Sequence, residues 1–299
     1  MRFPDFQCGH SGMNRRNFLF ASSAAASAIS LARAQDTASL AKLGRISVMT
    51  NDFDALMPEI WDRSKEVPPK ELDMMDLPEA VADRLHLHNL EVCNINLLSM
   101  EPSYIRRFKE RLDRAKSKVV DLVVELDPPE TRYRGRISPC SPDPAIRAQA
   151  IEMTKRWIDI AAVLGSPSIM PNQGVPYLTE DLTPCIEGLK ALVAYGKSKS
   201  VLVILEPRGG RMPPQQMVDL LKASGAYANP QIGTEEGLRL LYPLARTVQH
   251  VTLSPRFDIP NAIKISKELN FKGWYSIETG GADPWATIQK VIDALLQNL

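Results

Sequence analysis

Short apolar segments alternate with helical patterns along residues 35–299. Each apolar segment has the length and the β-branched content of a buried strand, and a stretch of helical periodicity follows it. Eight segments are predicted as strands, at residues 46–50, 91–97, 119–125, 168–172, 201–206, 226–231, 250–254 and 274–278. The starts of the last four lie 24 or 25 residues apart, which suits one strand, one loop and one helix per repeat.

The helical stretches carry recognisable starts. Asp143-Pro144 and Asp283-Pro284 each place a capping side chain before a proline at the first helical position. Apolar residues at helical spacing follow both pairs, and Gly165 lies where the first of these helices is expected to end. Alternation of this kind predicts parallel strands joined by helical crossovers.

Two architectures fit such an alternation, an open doubly wound sheet and a closed barrel. The open sheet normally has a glycine-rich phosphate-binding turn after its first strand. The corresponding turn here is Thr50-Asn51-Asp52-Phe53, which contains no glycine. The predicted fold class is therefore α/β, as a single (β/α)8 TIM barrel that occupies residues 35–299.

Residues 1–34 have the features of an export leader and are excluded from the barrel. Arg15 and Arg16 precede a short run of mostly Ala and Ser, and Ala32-Arg33-Ala34 forms a cleavage pattern before Gln35. The paired arginines resemble a twin-arginine signal. The run is shorter than the roughly 20 apolar residues of a membrane span, so we expect cleavage and a periplasmic or secreted protein. An uncleaved signal anchor is the alternative.

Charge and cysteine content narrow the function classes. The whole chain has a formal net charge of +1 and residues 1–34 contribute +3, so residues 35–299 carry −2. This balance does not favour nucleic acid as a partner. The barrel region contains Cys93, Cys140 and Cys185, an odd number without C-x-x-C spacing, and we expect three separate thiols rather than a disulfide framework.

Candidate chemistry lies where the strands end, because the active site of such a barrel forms at the carboxyl ends of its strands. Two predicted strands end an apolar run in a glutamate, Leu202-Val203-Ile204-Leu205-Glu206 and Trp274-Tyr275-Ser276-Ile277-Glu278. A carboxylate in such a position is costly unless it is paired, hydrogen-bonded or bound to a cation. Glu206 and Glu278 are therefore the predicted catalytic residues.

Three segments carry a resemblance to a known superfamily: residues 147–165 (RAQAIEMTKRWIDIAAVLG), 201–210 (VLVILEPRGG) and 273–283 (GWYSIETGGAD). Together with the order of elements they resemble the xylose-isomerase-like TIM barrels, which include sugar-phosphate isomerases and epimerases and, more distantly, endonuclease IV. The resemblance covers nearly all of residues 35–299. It implies a small carbohydrate substrate and a divalent metal, Mn²⁺, Mg²⁺ or Zn²⁺.

The resemblance also implies a ligand set, from which this chain departs. The glutamates of the fifth and eighth strands correspond to Glu206 and Glu278. The sixth strand supplies an aspartate in that family, where Gln231 stands here. The seventh supplies a histidine, where Thr252 stands, or Leu253 in a register shifted by one. The implied metal site (Glu206, Glu278 and Gln231) is thus weak or degenerate.

Several roles for the glutamates remain open. Without a metal, Arg208 or Arg256 would neutralise them, and the two acids would transfer protons next to a carbonyl in a two-base isomerase or epimerase. An Arg–Glu network that only closes the barrel mouth is the structural alternative. The predicted substrate-binding residues end strands or follow them: Asn96, Asn172, Arg208, Gln231 and Arg256.

Histidine content bears on the remaining alternatives. The barrel region contains only His86, His88 and His250, each expected to be structural. Phosphodiester cleavage with a histidine-rich metal cluster is therefore not favoured. A periplasmic carbohydrate-binding protein without catalysis, and a lyase or hydratase acting on oxidised sugars with the same two glutamates, remain alternatives to the exported isomerase or epimerase. The oligomeric state is left open.

Overall fold

Eight parallel strands alternate with helices between Leu43 and Leu299 in the computed structural model. The structure describes residues 39–57, 71–128, 135–174, 181–207 and 211–299. The strands are β1 (Ile46–Met49), β2 (Asn89–Cys93), β3 (Lys118–Val124), β4 (Ser168–Pro171), β5 (Leu202–Leu205), β6 (Tyr227–Ala228), β7 (Val248–Val251) and β8 (Trp274–Ile277). The predicted leader at residues 1–34 lies outside the described residues.

A helix follows each strand along the chain. These helices are α1 (Leu77–Leu85), α2 (Pro102–Arg114), α3 (Pro144–Leu164), α4 (Thr183–Ser198), α5 (Pro214–Ser224), α6 (Glu235–Leu241), α7 (Ile259–Glu268) and α8 (Pro284–Asn298). The predicted caps are confirmed, because the side chains of Asp143 and Asp283 accept hydrogen bonds from backbone N–H groups in the first turns of α3 and α8. None of the helices in the described ranges has both the length and the apolarity needed to cross a membrane.

The strand order shows that the sheet curls into a barrel. Neighbouring strands follow the order β6-β5-β4-β3-β2-β1-β8-β7, so the first strand pairs with the last. Every ladder is parallel, as right-handed βα crossovers require. The prediction of a single (β/α)8 TIM barrel is confirmed.

The junction between β6 and β7 has little backbone pairing. Its parallel bridge joins Ala228 to Ala245, before β7 begins. Side chains make the other links: the Asn229 side chain accepts a hydrogen bond from the backbone N–H of His250 at 2.8 Å. Gln249 donates to the carbonyl of Pro230 at 3.3 Å. Two amide side chains thus take the place of ladder bonds at this seam.

The barrel has an apolar layer outside the strands, where they pack against the helices. Leu122 and Ile277 on the strands and Leu189 and Ile292 on the helices are all buried in it. Burial of this apolar surface is the main force that holds the helices on the sheet.

The inside of the barrel is different, because polar side chains line it at one level. In-register pairing places Ser276 between Ser47 and His250, and Glu91 opposite Asp121. The members of this inner polar layer, all buried, are Ser47, Glu91, Asp121, Ser168, His250 and Ser276. Barrels of this kind usually fill this space with branched apolar residues. A second, smaller apolar cluster that includes Met49, Cys93 and Val248 accompanies the layer.

The cysteine prediction is wrong for two of the three residues. Cys140, which precedes α3, forms a disulfide with Cys185 in the first turn of α4, and Cys93 is a buried thiol. The partners lie 45 residues apart in sequence, in successive βα units that the barrel makes neighbours. Spacing along the chain could not reveal this closeness, because the fold creates it.

Candidate active site

Glu206 and Glu278 meet at the carboxyl ends of β5 and β8. Glu206 directly follows β5, and its backbone carbonyl accepts a hydrogen bond from the buried Gln173 side chain at the end of β4. Glu278 directly follows β8, and its backbone N–H donates to Val251 at 3.0 Å, which extends the β7–β8 ladder. The two carboxylates differ in environment, since the Glu206 side chain is 8% exposed and the Glu278 side chain 35%.

His250 joins the two glutamates from β7. Its Nδ1 atom lies 3.2 Å from an oxygen of Glu206 and 3.4 Å from an oxygen of Glu278. One ligand atom from each of the three side chains lies within 4.8 Å of the others. The expectation that His250 is only structural therefore does not match its position.

The reason for this error is the register of β7. The strand begins at Val248, two residues earlier than predicted, so His250 is its third residue. Val248 lies in the apolar cluster inside the barrel, and alternation therefore turns His250 inward as well. Thr252, which was assigned the histidine position, follows the strand and is half-buried. An inward-facing histidine two positions after an inward-facing valine was the signal that could have identified the site residue.

The three glutamates around His250 create a negative potential that a positive charge compensates. Burial alone would lower the pKa of His250, but Glu91, Glu278 and Glu206 outweigh burial and raise that pKa well above its ordinary value. A buried imidazole surrounded by carboxylates therefore takes up a proton when no other cation neutralises them.

The donor set fits a divalent cation. Nδ1 of His250 is buried and makes no hydrogen bond to any described residue, despite its short distances to the two carboxylates. A buried nitrogen without a hydrogen bond requires an explanation. An imidazole nitrogen beside two carboxylate oxygens is a ligand combination typical of Mn²⁺ and Zn²⁺ sites.

Gln231 reaches the same cluster from the end of β6. Its amide N–H donates to the Glu278 carboxylate, which places Gln231 at the edge of the ligand cluster. Asp52, which follows β1, lies on the other side. Its Oδ1 accepts from the backbone N–H of Thr279 at 2.9 Å, and burial, followed by the nearby Glu278 charge, raises its pKa well above the ordinary value.

The other predicted substrate-binding residues have different surroundings. Asn96 is fully buried and bonded to Thr50 and Asp54. Asn172 donates to Glu125 at 2.6 Å and accepts from the backbone N–H of Gly174.

One of the two predicted arginines lies in the part of the chain that the structure describes. Arg256 is exposed in the loop between β7 and α7, and among the described residues it makes no contact with the glutamates. Arg208 lies outside the described residues, so its predicted role stays a prediction.

Comparison with known proteins identifies the fold family. The family model described as xylose isomerase-like TIM barrel matches residues 53–234. The chain belongs to the xylose isomerase-like TIM barrel family. The match ends before His250 and Glu278, so two of the three clustered residues lie beyond it. A search of curated proteins found no match to this chain.

Solved structures of xylose isomerase-like barrels share the architecture. A Mycobacterium smegmatis member solved in complex with magnesium has 15% identity and a TM-score of 0.61, over 85% of this chain and 95% of that one. D-allulose 3-epimerase from Methylomonas sp., in complex with D-allulose, has 11% identity and a TM-score of 0.62, over 85% and 97%. The 3-keto-D-glucoside 4-epimerase of E. coli has 12% identity and a TM-score of 0.62, over 85% and 99%. At these identities the likeness shows the fold.

Proposed function

We propose that this protein is a sugar epimerase or isomerase that moves a proton on a carbon next to a carbonyl. The observation that carries the proposal is the convergence of Glu206, Glu278 and His250 within 4.8 Å at the carboxyl end of the barrel. Sugar epimerases among the structural neighbours support the substrate class, and one of them was solved with D-allulose.

The site would hold a divalent cation through Glu206, His250 and Glu278. When bound, such a cation polarises the substrate carbonyl and so acidifies the neighbouring C–H group. A neighbour solved in complex with magnesium supports this part of the proposal. Each glutamate has two carboxylate oxygens, so one can face the cation while the other accepts or returns a proton.

The two glutamates divide the proton transfer. One carboxylate removes the proton from the substrate carbon, and the other, as its carboxylic acid, delivers a proton to the opposite face. Return to the same carbon inverts it and gives an epimer. Return to the former carbonyl carbon exchanges an aldose and a ketose, and the proton of the neighbouring hydroxyl then passes to the former carbonyl oxygen. Gln231 holds the Glu278 carboxylate through its amide N–H and so fixes its orientation.

Solvent deuterium exchange tests this chemistry. The protein, loaded with Mn²⁺, is incubated in D₂O with D-allulose, D-fructose, D-tagatose and a 3-keto-D-glucoside, and NMR follows the hydrogen next to the carbonyl. We expect exchange with at least one sugar, and Glu206→Gln and Glu278→Gln each to slow it by about 10²–10⁴-fold. Glu110→Gln, on the exposed face of α2, is the control and should leave exchange unchanged.

One result would favour the carbohydrate-binding alternative. If calorimetry detects sugar binding by the Mn²⁺-loaded protein but no sugar on the panel exchanges its hydrogen, the catalytic proposal fails. The position of His250 weakens the case for that alternative, because His250 supplies the histidine that was predicted to be replaced by Thr252.

We also propose that the protein is exported by the twin-arginine route and cleaved before Gln35. The disulfide between Cys140 and Cys185 supports export, because such bonds persist mainly in oxidising compartments. Replacing Arg15 and Arg16 together by Lys should retain the protein in the cytoplasm with its leader attached. Amino-terminal sequencing of the periplasmic fraction measures this, and a periplasmic variant protein would contradict the route.

A further inference from the structure

The imidazole of His250 is held from both of its polar edges. Nδ1 faces Glu206 and Glu278, whereas Nε2 on the opposite edge lies 2.8 Å from Oε1 of Glu91 on β2. Glu91 is fully buried, and nothing in the sequence marked it beyond its place at the start of a predicted strand. The backbone of His250 is held as well, through its bond to Asn229.

The contact with Glu91 decides which ring nitrogen carries the proton. A neutral imidazole has one N–H and one lone pair, and an ionised carboxylate can only accept hydrogen bonds. When a cation is bound and the imidazole is neutral, the N–H therefore lies on Nε2, toward Glu91, and the lone pair lies on Nδ1, toward the cation and the two catalytic glutamates. Metal-binding histidines commonly have their other nitrogen fixed by a carboxylate in this way.

We propose that Glu91 is the positioning residue of this site, which holds His250 in the Nε2–H tautomer so that Nδ1 serves as the ligand to a divalent cation. This inference rests on the proposed function, because it assigns a role toward the cation site described there. Glu91 itself lies behind the histidine and touches neither the substrate nor the cation.

The rest of the inner polar layer keeps Glu91 able to accept. Asp121 lies opposite Glu91 in the β2–β3 pairing, and Ser168 on β4 donates to Asp121. Burial, and next the Glu91 charge, raise the pKa of Asp121 well above its ordinary value, so Asp121 retains its proton. The hydroxyl of Ser168 also contacts that of Thr247 at 2.9 Å, which ties the layer to the segment that leads into β7.

A purely structural role for Glu91 makes a different prediction. If Glu91 only neutralised a cationic His250, both ring nitrogens would carry protons whether or not the site held a metal ion. Removal of the Glu91 charge would then change stability and leave the metal affinity of the folded protein as it was.

Nitrogen NMR of the wild-type protein distinguishes these roles without a variant at Glu91. The chain has four histidines, so a ¹⁵N-histidine sample gives few signals, and a His250→Gln spectrum assigns the one of interest. In the Zn²⁺-loaded protein we expect a protonated Nε2 and an unprotonated Nδ1. A proton on Nδ1, or on both nitrogens, would overturn the inference, as would failure of the wild-type protein to bind Zn²⁺.

Glu91→Gln supplies the second measurement, because its amide has the same shape but can also donate to Nε2. We expect about 10–100-fold weaker Zn²⁺ binding by calorimetry and a signal from the Nδ1–H tautomer. Ser276→Ala is the matched control, since Ser276 belongs to the same buried layer and its hydroxyl has no hydrogen bond to a described residue. Unchanged Zn²⁺ affinity and an unchanged tautomer in Glu91→Gln would overturn the role of Glu91.

Failure of the sugar chemistry would be distinguishable from failure of this inference. Neither the NMR spectrum nor the Zn²⁺ titration requires a sugar. If both give the expected results and no sugar exchanges hydrogen, the epimerase proposal fails and the positioning role of Glu91 stands. If sugars exchange but Glu91→Gln binds Zn²⁺ as the wild-type protein does, the positioning role fails alone.

Discussion

The outer and inner faces of the barrel sheet bury different kinds of side chain. Outside the strands, the packing consists mainly of apolar side chains such as Leu122 and Leu189. Inside, the inner polar layer buries Glu91, Asp121 and His250 side by side. Burial of ionisable groups has a desolvation penalty that can exceed the gain from their interactions, whereas apolar burial stabilises the fold. The difference indicates that the outer layer holds the fold, whereas Glu91 and His250 of the inner layer serve the site.

The sharpest test of this division is His250→Gln, for which we expect the largest effect. Loss of the imidazole removes one of three clustered ligand atoms and should lower the rate of hydrogen exchange by about 10²–10⁴-fold. The rates are compared for folded protein, because the buried Glu91 loses its charged partner and the midpoint of urea unfolding should fall as well. A variant that exchanges hydrogen at the wild-type rate would show that the inner layer does not serve the site.

The complementary test removes apolar volume from the outer layer. Leu189 in α4 is fully buried, and Leu189→Ala should lower the free energy of unfolding by about 2–5 kcal/mol, since it leaves a cavity. Urea denaturation measures the change. Val163→Ala, at an exposed position of α3, is the control and should have an effect within about 0.5 kcal/mol. The metal affinity of folded Leu189→Ala should match that of the wild-type protein.

The disulfide lies among the helices outside the sheet, so its removal should affect stability and leave the site chemistry unchanged. Replacing Cys140 and Cys185 together by Ser should lower the free energy of unfolding by about 2–4 kcal/mol, because the unfolded chain loses a cross-link between residues 45 apart. Hydrogen exchange into the sugar should continue at the wild-type rate. A loss of exchange in the folded variant would mean that the loop before α3 supports the site directly.

The smallest effect is expected from Asp121→Asn, which should change how the free energy of unfolding depends on pH. Burial and the Glu91 charge raise the pKa of Asp121, so the folded state keeps a proton that the unfolded chain releases above about pH 4. The free energy of unfolding should therefore fall as the pH rises from that value toward the folded pKa. An asparagine has no proton to lose, so the variant should be more stable than the wild-type protein at neutral pH.

Urea titrations between pH 4 and pH 8 measure this difference. Asp219→Asn, at an exposed position of α5, serves as the control and should follow the wild-type curve. Equal slopes for Asp121→Asn and the wild-type protein would show that Asp121 is ionised in the folded state.

The sequence predicted the fold well because each strand has its own local signal. The acids at the ends of β5 and β8 could also be predicted, since Glu206 and Glu278 each end a run of apolar residues. Their meeting follows from the topology of a barrel, in which all carboxyl ends lie at one rim.

The rest of the site depended on register and on long-range contacts. His250 was missed because Val248 and Gln249 were not recognised as part of β7. Asn96 lies in a short helical turn after β2, which ends at Cys93 rather than at Leu97 as predicted. It bonds to Thr50 and Asp54, which no spacing rule reveals. Glu91 and His250 are 159 residues apart, and only closure of the barrel brings them together.

At the seam between β6 and β7, side-chain hydrogen bonds set the distance between the two strands. Elsewhere the distance between strands follows from backbone bonds that any residue except proline can make, so mutation there hardly alters spacing. At the seam, Asn229 alone receives the amide proton of His250. Substitution of Asn229 would leave the bond from Gln249 to Pro230 and the Ala228–Ala245 bridge to set the spacing of this seam. Natural variation at so few contacts can therefore alter the distance between Glu206 and the other two clustered residues, and thus the size of sugar that fits.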